Sequence, residues 1–119
     1  MWTVLAIGLT ALVAALHGYF LVLEMFLWTR PTGRRVFGLS AEYAAQSRTL
    51  AANQGLYNGF LAAGLLWSLW PGSPAGLAEF FLGCVIVAGV YGGCTVSRKI
   101  WWVQALPAGL ALACVYLAR

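Results

Sequence analysis

The chain has very little charge for its length. Of its 119 residues, 8% are charged and 62% are hydrophobic, and the mean hydropathy is +0.84. Soluble globular domains carry about 25% charged residues. The composition excludes a soluble domain and leaves no room for a separate one beside a membrane segment. We therefore expect one domain, residues 1–119, with the lipid bilayer as its main partner.

The residue types that build metal and redox sites are also scarce. The chain has one histidine, three acidic residues and three cysteines. Cys84, Cys94 and Cys114 lack the short paired spacing of zinc or redox motifs and are interpreted as small apolar packing residues. One histidine and one intramembrane glutamate do not supply the three ligands of a catalytic metal site. P-loop, dinucleotide-binding and nucleophile-elbow motifs are absent, so we predict no metal and no cofactor.

Long apolar stretches dominate what is present. A hydrocarbon core of roughly 30 Å needs about 20 apolar residues in a helix. The first stretch lacks the basic start of a signal peptide and carries His17 and Glu24, so we expect it to be retained. The sequence predicts an all-α fold, an integral membrane antiparallel four-helix bundle. Its predicted spans are residues 2–28, 44–70, 77–96 and 100–118.

The net charge of +4 could suggest nucleic acid, but the basic residues lie in short connections beside the apolar stretches. Such a distribution indicates orientation in a membrane. It places the connections between spans one and two and between spans three and four in the cytoplasm and both termini on the outer side of the membrane, with only Arg119 opposing. The basic connection after the first span either lies against anionic lipid headgroups or recruits an anionic ligand to the mouth of a site. We expect no nucleic-acid partner. The residues that set this orientation are Arg30, Arg34, Arg35, Arg48, Arg98 and Lys99.

Local signals mark helix ends and close helix contacts. Gly33 and Gly38, with a nearby proline, predict a break after the first span, and Ser40 is a suitable N-cap for a helix that begins near residue 41. Pro107 frees a backbone carbonyl one turn earlier in the last span. Gly55 and Gly59, a GxxxG pair among the small residues of the second span, predict close approach of another helix, and we expect a homo-oligomer through such faces.

Polar side chains within the spans suggest a shared site. Thr10, His17 and Glu24 recur every seven residues and form one stripe of the first helix. In an antiparallel bundle, the depth of a residue in the membrane follows from its distance to the helix end, at about 1.5 Å per residue. These depths place polar residues of all four spans in or near the cytoplasmic half of the membrane. We expect a cytoplasm-facing pocket that binds a small ligand. Its predicted ligand-binding residues are Glu24, Arg48, Asn53, Gln54, Tyr57, Asn58, Tyr91, Thr95 and Gln104.

Glu24 and His17 are the candidates for a catalytic role. A charged residue at the centre of a span costs about 2.5 to 3.5 kcal/mol, so Glu24 requires a partner. Glu24 is a proton acceptor or substrate anchor on one interpretation and a structural ion pair on the other. His17 is either catalytic or hydrogen-bonded to Tyr57 or Asn58. The candidate partners of Glu24 are Arg48 and the amides of Asn53, Gln54 and Gln104.

The sequence resembles the small bacterial four-pass membrane proteins of domain of unknown function 1304. The resemblance covers all four predicted helices and implies a four-helix membrane protein without an assigned activity. The matching segments are HGY (His17–Tyr19), LEM (Leu23–Met25), NQGLYNGFLAAGL (Asn53–Leu65), AGVYGGCT (Ala88–Thr95) and QALPAGLAL (Gln104–Leu112).

A second resemblance is to the membrane-associated proteins of eicosanoid and glutathione metabolism. Those four-helix enzymes carry an arginine and an NxxEN-type run in their second helix, which Arg48 and Gln54–Asn58 match in outline. Tyr57 stands where that family has glutamate, and the arginine spacing differs. The resemblance implies a glutathione-dependent or lipid-modifying enzyme as an alternative function. A subunit of an oligomeric transporter or channel is the other alternative, because four helices alone rarely enclose a path.

Overall fold

The computed structural model describes residues 1–119 and contains helices without any strand, which confirms the all-α prediction. The chain divides into two compact units. The first unit contains Met1–Ala15 and Leu61–Arg119, and the second unit contains Leu16–Phe60. The helices are α1 (Trp2–Met25), α2 (Pro31–Phe37), α3 (Ala41–Ser68), α4 (Leu77–Thr95), a π-helical segment (Trp101–Ala105) and α5 (Leu106–Leu117).

In the second unit, the predicted break after α1 contains a short helix. Pro31 opens α2 at a position where its missing N–H costs no hydrogen bond, and Gly38 ends it with φ 65°. A Cβ atom on Gly33 would overlap the carbonyl oxygen of Leu27, so α2 lies directly against the chain that leaves α1. The predicted cap is confirmed, because the Ser40 Oγ accepts a hydrogen bond of 3.1 Å from the backbone N–H of residue 43.

In the first unit, α4 packs against the π-helical segment and α5. Gly89 lies so close to the segment that a Cβ atom there would be 2.6 Å from the backbone nitrogen of Ala105. The backbone N–H of Leu106 bonds to the carbonyl of Trp101, five residues earlier, just before the proline at position 107. Pro107 supplies no N–H to the preceding turn, which is consistent with this wider winding. The core of this unit consists of Val13, Ala14, Leu65, Leu82, Val85, Ala108 and Ala111.

Two helices, α1 and α4, are long and apolar enough to cross a membrane by length and composition. The apolar helical stretch Trp101–Leu117 is shorter. α3 has 28 residues, which exceeds the length of a span, but it is much less apolar than α1 or α4. The polar residues that the sequence places in the second predicted span account for this difference.

Candidate functional site

Glu24 is the one buried acidic side chain of the second unit. Its relative exposure is 8%, and its Oε1 accepts a hydrogen bond of 2.6 Å from the Asn58 side-chain amide. A bond to a carboxylate is among the stronger hydrogen bonds in proteins. The pair therefore joins the last turn of α1 to α3.

Two glycines of α3 allow this contact. A Cβ atom on Gly55 would lie 2.7 Å from the Met25 Cγ, 3.1 Å from the Glu24 Cβ and 3.2 Å from the Leu21 carbonyl oxygen. A Cβ atom on Gly59 would lie 2.6 Å from a methyl group of Leu21. Asn58 follows Gly55 by three residues and so lies on the same helical face. The predicted close approach at these glycines is confirmed, and α1 and α3 are antiparallel in this unit.

The register of α1 against α3 leaves the start of α3 beyond the end of α1. Gly55 is level with the last turn of α1, which ends at Met25, so residues 41–54 extend past it. At 1.5 Å per residue this overhang is about 21 Å long. The sequence instead places Asn53 and Gln54 at the height of Glu24. That difference arises because the predicted heights assume helix ends that coincide, whereas α1 ends early and α3 begins early.

The partner of Glu24 also differs from the predicted ones. Arg48 and the neighbouring amides on α3 were the residues that height favoured, but the structure gives the bond to Asn58. Asn53 and Gln54 are exposed on the overhang, and so is Arg48. Tyr57, on the following turn, has a relative exposure of 59%. Of the predicted ligand-binding residues on α3, Asn58 therefore faces α1, and the others are exposed.

A cavity of about 410 Å³ opens at the end of α1 in the second unit. Its volume falls in the usual range for small-molecule sites, roughly 300 to 1,000 Å³. Most of its lining comes from the end of α1 and the turn that follows, and one residue comes from the overhang of α3. The lining residues are Met25, Phe26, Trp28, Thr29, Arg30 and Arg48.

One wall of this cavity is fixed by Trp28. The Trp28 indole N–H donates a hydrogen bond of 2.9 Å to the Ser47 Oγ, and the Ser47 hydroxyl in turn donates to the Tyr43 carbonyl at 2.6 Å. The Trp28 ring also packs on Phe37 of α2, with ring centroids 4.9 Å apart. Trp28 is therefore held from both α2 and α3.

The cavity is basic. Arg30 and Arg48 are exposed, and neither guanidinium group forms an ion pair with a carboxylate of the protein. The Glu24 carboxylate, which the sequence offers as a partner for Arg48, is bonded to Asn58. The two positive charges on the cavity wall are thus not neutralised by the chain.

His17 is completely buried, with a relative exposure of 0%. Its ring meets Phe20 edge-on, with centroids 5.5 Å apart and an interplanar angle of 73°. All three members of the predicted stripe of α1 are buried: Thr10, His17 and Glu24 are the buried polar or charged residues of the chain. The prediction that this face of α1 points at protein is confirmed.

The other predicted site residues belong to the first unit. Tyr91 is 71% exposed, and its carbonyl accepts a hydrogen bond of 2.7 Å from the exposed Thr95 hydroxyl. Gln104 is half-buried within the π-helical segment. Groups of three or more His, Cys, Asp or Glu side chains that could hold a metal ion do not occur. That Tyr91, Thr95 and Gln104 share one pocket with Glu24 stays a prediction of the sequence.

Sequence reasoning did not identify the cavity at the end of α1. Met25, Phe26 and Thr29 carry no motif, and Arg30 is only one member of the basic connection after the first span. The one available signal was Trp28, a residue type common where a span meets the membrane surface. An aromatic residue and an arginine so close together at the end of an apolar helix favour a site at that end.

Two comparisons with known proteins identify relatives of the chain. Residues 11–116 match the family described as "Protein of unknown function (DUF1304)". The chain is also 35% identical to "Uncharacterized protein YpaA" of Lactococcus lactis subsp. lactis (strain IL1403) over 113 residues, which cover 92% of this chain and 95% of that protein. No solved structure matches it significantly. The chain belongs to the DUF1304 family of proteins.

Proposed function

We propose that the protein is an integral protein of the bacterial plasma membrane that binds a small ligand at the cytoplasmic surface, in the cavity of the second unit. The observation that carries this proposal is the cavity of about 410 Å³ lined by Arg30 and Arg48. Its lining begins at Met25, the residue after Glu24, and its polar and aromatic side chains suit a bound organic molecule.

Membrane insertion is supported by how α1 and α4 expose their apolar side chains. Only 28% of the apolar window of α1 and 22% of that of α4 is buried within the protein, whereas a core helix of a soluble protein is mostly buried. Val4 of α1 is 72% exposed and Val87 of α4 is 70% exposed. Surfaces of this kind are stable in contact with lipid. In the proposal, α3 and Trp101–Leu117 complete a bundle of four crossings.

The cytoplasmic side of the site follows from charge and register together. Arg30, Arg34 and Arg35 lie between α1 and α3, and the positive-inside rule places such a connection in the cytoplasm. Because α3 overhangs α1 on this side, the exposed polar residues of the overhang, among them Asn53 and Gln54, point the same way as this basic connection. The Glu24–Asn58 bond then lies near the inner boundary of the bilayer, where a carboxylate costs less than at its centre.

Glu24 serves in this proposal as a structural anchor that fixes the cavity wall. Its bond to Asn58 holds the end of α1 against α3, and Met25 and Phe26 follow directly into the cavity lining. An enzyme that uses Glu24 or His17 as acid or base remains the competing proposal, with glutathione as its test substrate. No observation favours the transporter alternative over these two.

Self-association is part of the proposal and rests on the sequence. Gly55 and Gly59, two of the small residues expected at contacts between copies, are used for contacts within the chain. Gly8 and Gly18 of α1 remain open, since a Cβ atom there would meet nothing within 4 Å. Native mass spectrometry of the detergent-purified chain measures the number of copies directly, and a monomer would remove this part of the proposal.

Site-specific cysteine labelling tests the membrane topology. In a full-length chain whose native cysteines are replaced by alanine, single cysteines are placed at Thr32, Ala75 or Val96, all of them exposed. We expect a membrane-impermeant maleimide to label Ala75→Cys in intact spheroplasts, and to label the other two only after permeabilisation. Recovery of the chain in the soluble fraction would overturn the proposal, and labelling of Thr32→Cys from outside would reverse its orientation.

A further inference from the structure

We propose that the cavity between Arg30 and Arg48 binds the phosphate monoester group of an organic ligand. This inference rests on the proposed function and names the ligand class of that site. Its support comes from the charge of the cavity walls, from their apolar part and from their position at the end of α1.

The charge balance of the cavity favours a dianion. Arg30 and Arg48 contribute two positive charges that no carboxylate of the chain neutralises. One carboxylate would balance only one of them, whereas a phosphate monoester carries about two negative charges near neutral pH. Guanidinium groups bind phosphate oxygens through paired hydrogen bonds, and the Thr29 hydroxyl adds a further possible donor. The phosphate monoester is therefore the group that matches both charge and donors.

The apolar walls favour an organic phosphate over the free ion. Met25, Phe26 and Trp28 line the same cavity, and its volume of about 410 Å³ exceeds the space that one phosphate group occupies. Trp28 is held in place by Ser47 and Phe37 without any ligand. A wall that is already ordered loses little entropy when the ligand binds.

The position of the cavity is compatible with two sources of this group. Trp28 lies three residues after the end of α1, a helix long and apolar enough to cross a membrane, and tryptophan at such a position favours the headgroup level of a bilayer. A lipid with a phosphate monoester headgroup could enter from the bilayer. A soluble phosphate monoester could enter from the cytoplasm. The two sources present the same group to Arg30 and Arg48.

Thermal unfolding of the full-length protein in phosphatidylcholine nanodiscs tests the inference. The soluble probes are glycerol 3-phosphate and inorganic phosphate, and the lipid probes are phosphatidic acid and phosphatidylglycerol, each mixed into the nanodisc. A ligand that binds only the folded protein raises its unfolding midpoint. We expect a larger rise with phosphatidic acid than with phosphatidylglycerol, a phosphodiester, or a larger rise with glycerol 3-phosphate than with inorganic phosphate. The first result identifies a lipid as the source, and the second a soluble ligand.

Charge-matched variants separate a built site from general attraction to a basic surface. Arg30→Gln and Arg48→Gln should each weaken binding about tenfold or more, because each removes a charged hydrogen-bond donor. Arg35→Gln, in the same unit but outside this cavity, and Arg98→Gln, in the first unit, are the controls. They should bind as the unchanged protein does.

Three outcomes would overturn the inference. Equal losses in all four variants would indicate general electrostatics, and a greater stabilisation by glutathione than by any phosphate would favour the enzyme alternative. Absence of stabilisation by every phosphate probe would remove the ligand class. None of these results affects cysteine labelling of the loops, so failure of the membrane assignment would be recognised separately.

Discussion

The Asn58 side-chain amide donates a hydrogen bond of 2.6 Å to the Oε1 of Glu24, which is 8% exposed. The sequence instead offers Arg48 and the amides of Asn53, Gln54 and Gln104 as partners of this carboxylate. Because Glu24 is bonded to an amide and not to an arginine, the Arg48 guanidinium is left without a carboxylate partner. The pair thus links two features of the second unit, the packing of α1 on α3 and the unneutralised charge of the cavity.

Replacement of Asn58 should destabilise the protein because it removes the donor from a buried carboxylate. We expect Asn58→Leu to lower the free energy of unfolding by about 1 to 3 kcal/mol, measured by chemical denaturation in detergent micelles. Glu24→Gln keeps an acceptor for Asn58 and should remain folded. Gln46→Leu is the matched control, since Gln46 is an exposed amide on the same helix.

A double variant tests whether the loss belongs to the pair. Glu24→Leu with Asn58→Leu replaces both partners by apolar groups and should be more stable than Asn58→Leu alone. If the double variant loses as much as the sum of the two single variants, the residues act independently and the bond has no role in stability.

We predict that a side chain at Gly55 destabilises the protein more than a side chain at Gly18, an open glycine of the second unit. A methyl group at Gly55 meets the Glu24 Cβ at 3.1 Å and the Leu21 carbonyl oxygen at 3.2 Å, and the helix backbone cannot move away cheaply. Gly55→Ala should therefore lower stability by about 1 to 3 kcal/mol. Gly18→Ala is the control, because that position is open and alanine is favoured over glycine in a helix by up to about 1 kcal/mol. Thermal unfolding followed by circular dichroism should rank Gly18→Ala above Gly55→Ala, and the reverse order would contradict the described packing.

A similar comparison applies to the first unit. A Cβ atom on Gly89 would lie 2.6 Å from the Ala105 nitrogen and 2.9 Å from the Ala105 Cα, both backbone atoms of the π-helical segment. Gly89→Ala should force this segment away from α4 and cost at least about 1 to 3 kcal/mol. Gly109→Ala on α5 meets nothing within 4 Å and should be neutral or stabilising. Equal stability of the two variants, measured by thermal unfolding, would show that α4 does not pack closely on the segment.

Much of the helical architecture could be predicted from local signals. The seven-residue repeat of Thr10, His17 and Glu24 identifies the buried face of α1, and Gly55 identifies a close approach of α1 to α3. Ser40 fixed the start of α3 to within one residue. These features depend on helical periodicity and on backbone capping, both of which the sequence records directly.

The site was less predictable because it depends on the register of α3 against α1 and on the turn between α1 and α2. Heights counted from helix ends could not show that α3 overhangs α1, and so the partner of Glu24 was misassigned. The cavity walls include Thr29 and Arg30, whose positions follow from the turn between α1 and α2. Hydrophobic periodicity contains no information about the path of such a turn. The charge and height of Arg48 predict a site residue, but its place on the cavity wall depends on the overhang of α3.

The charge of the cavity can be measured by the reactivity of a cysteine on its wall. Thr29→Cys, in the full-length chain whose native cysteines are replaced by alanine, should react faster with an anionic methanethiosulfonate than with a cationic one, because Arg30 and Arg48 attract the anionic reagent. The same cysteine at Ala75, on the connection between α3 and α4, provides the reference ratio. Adding Arg48→Gln should lower the anion-to-cation rate ratio at position 29 several-fold, whereas Arg98→Gln should leave it unchanged. If both charge variants lower the ratio equally, the reagent senses the net charge of the whole chain; if only Arg48→Gln does, the potential originates in the cavity.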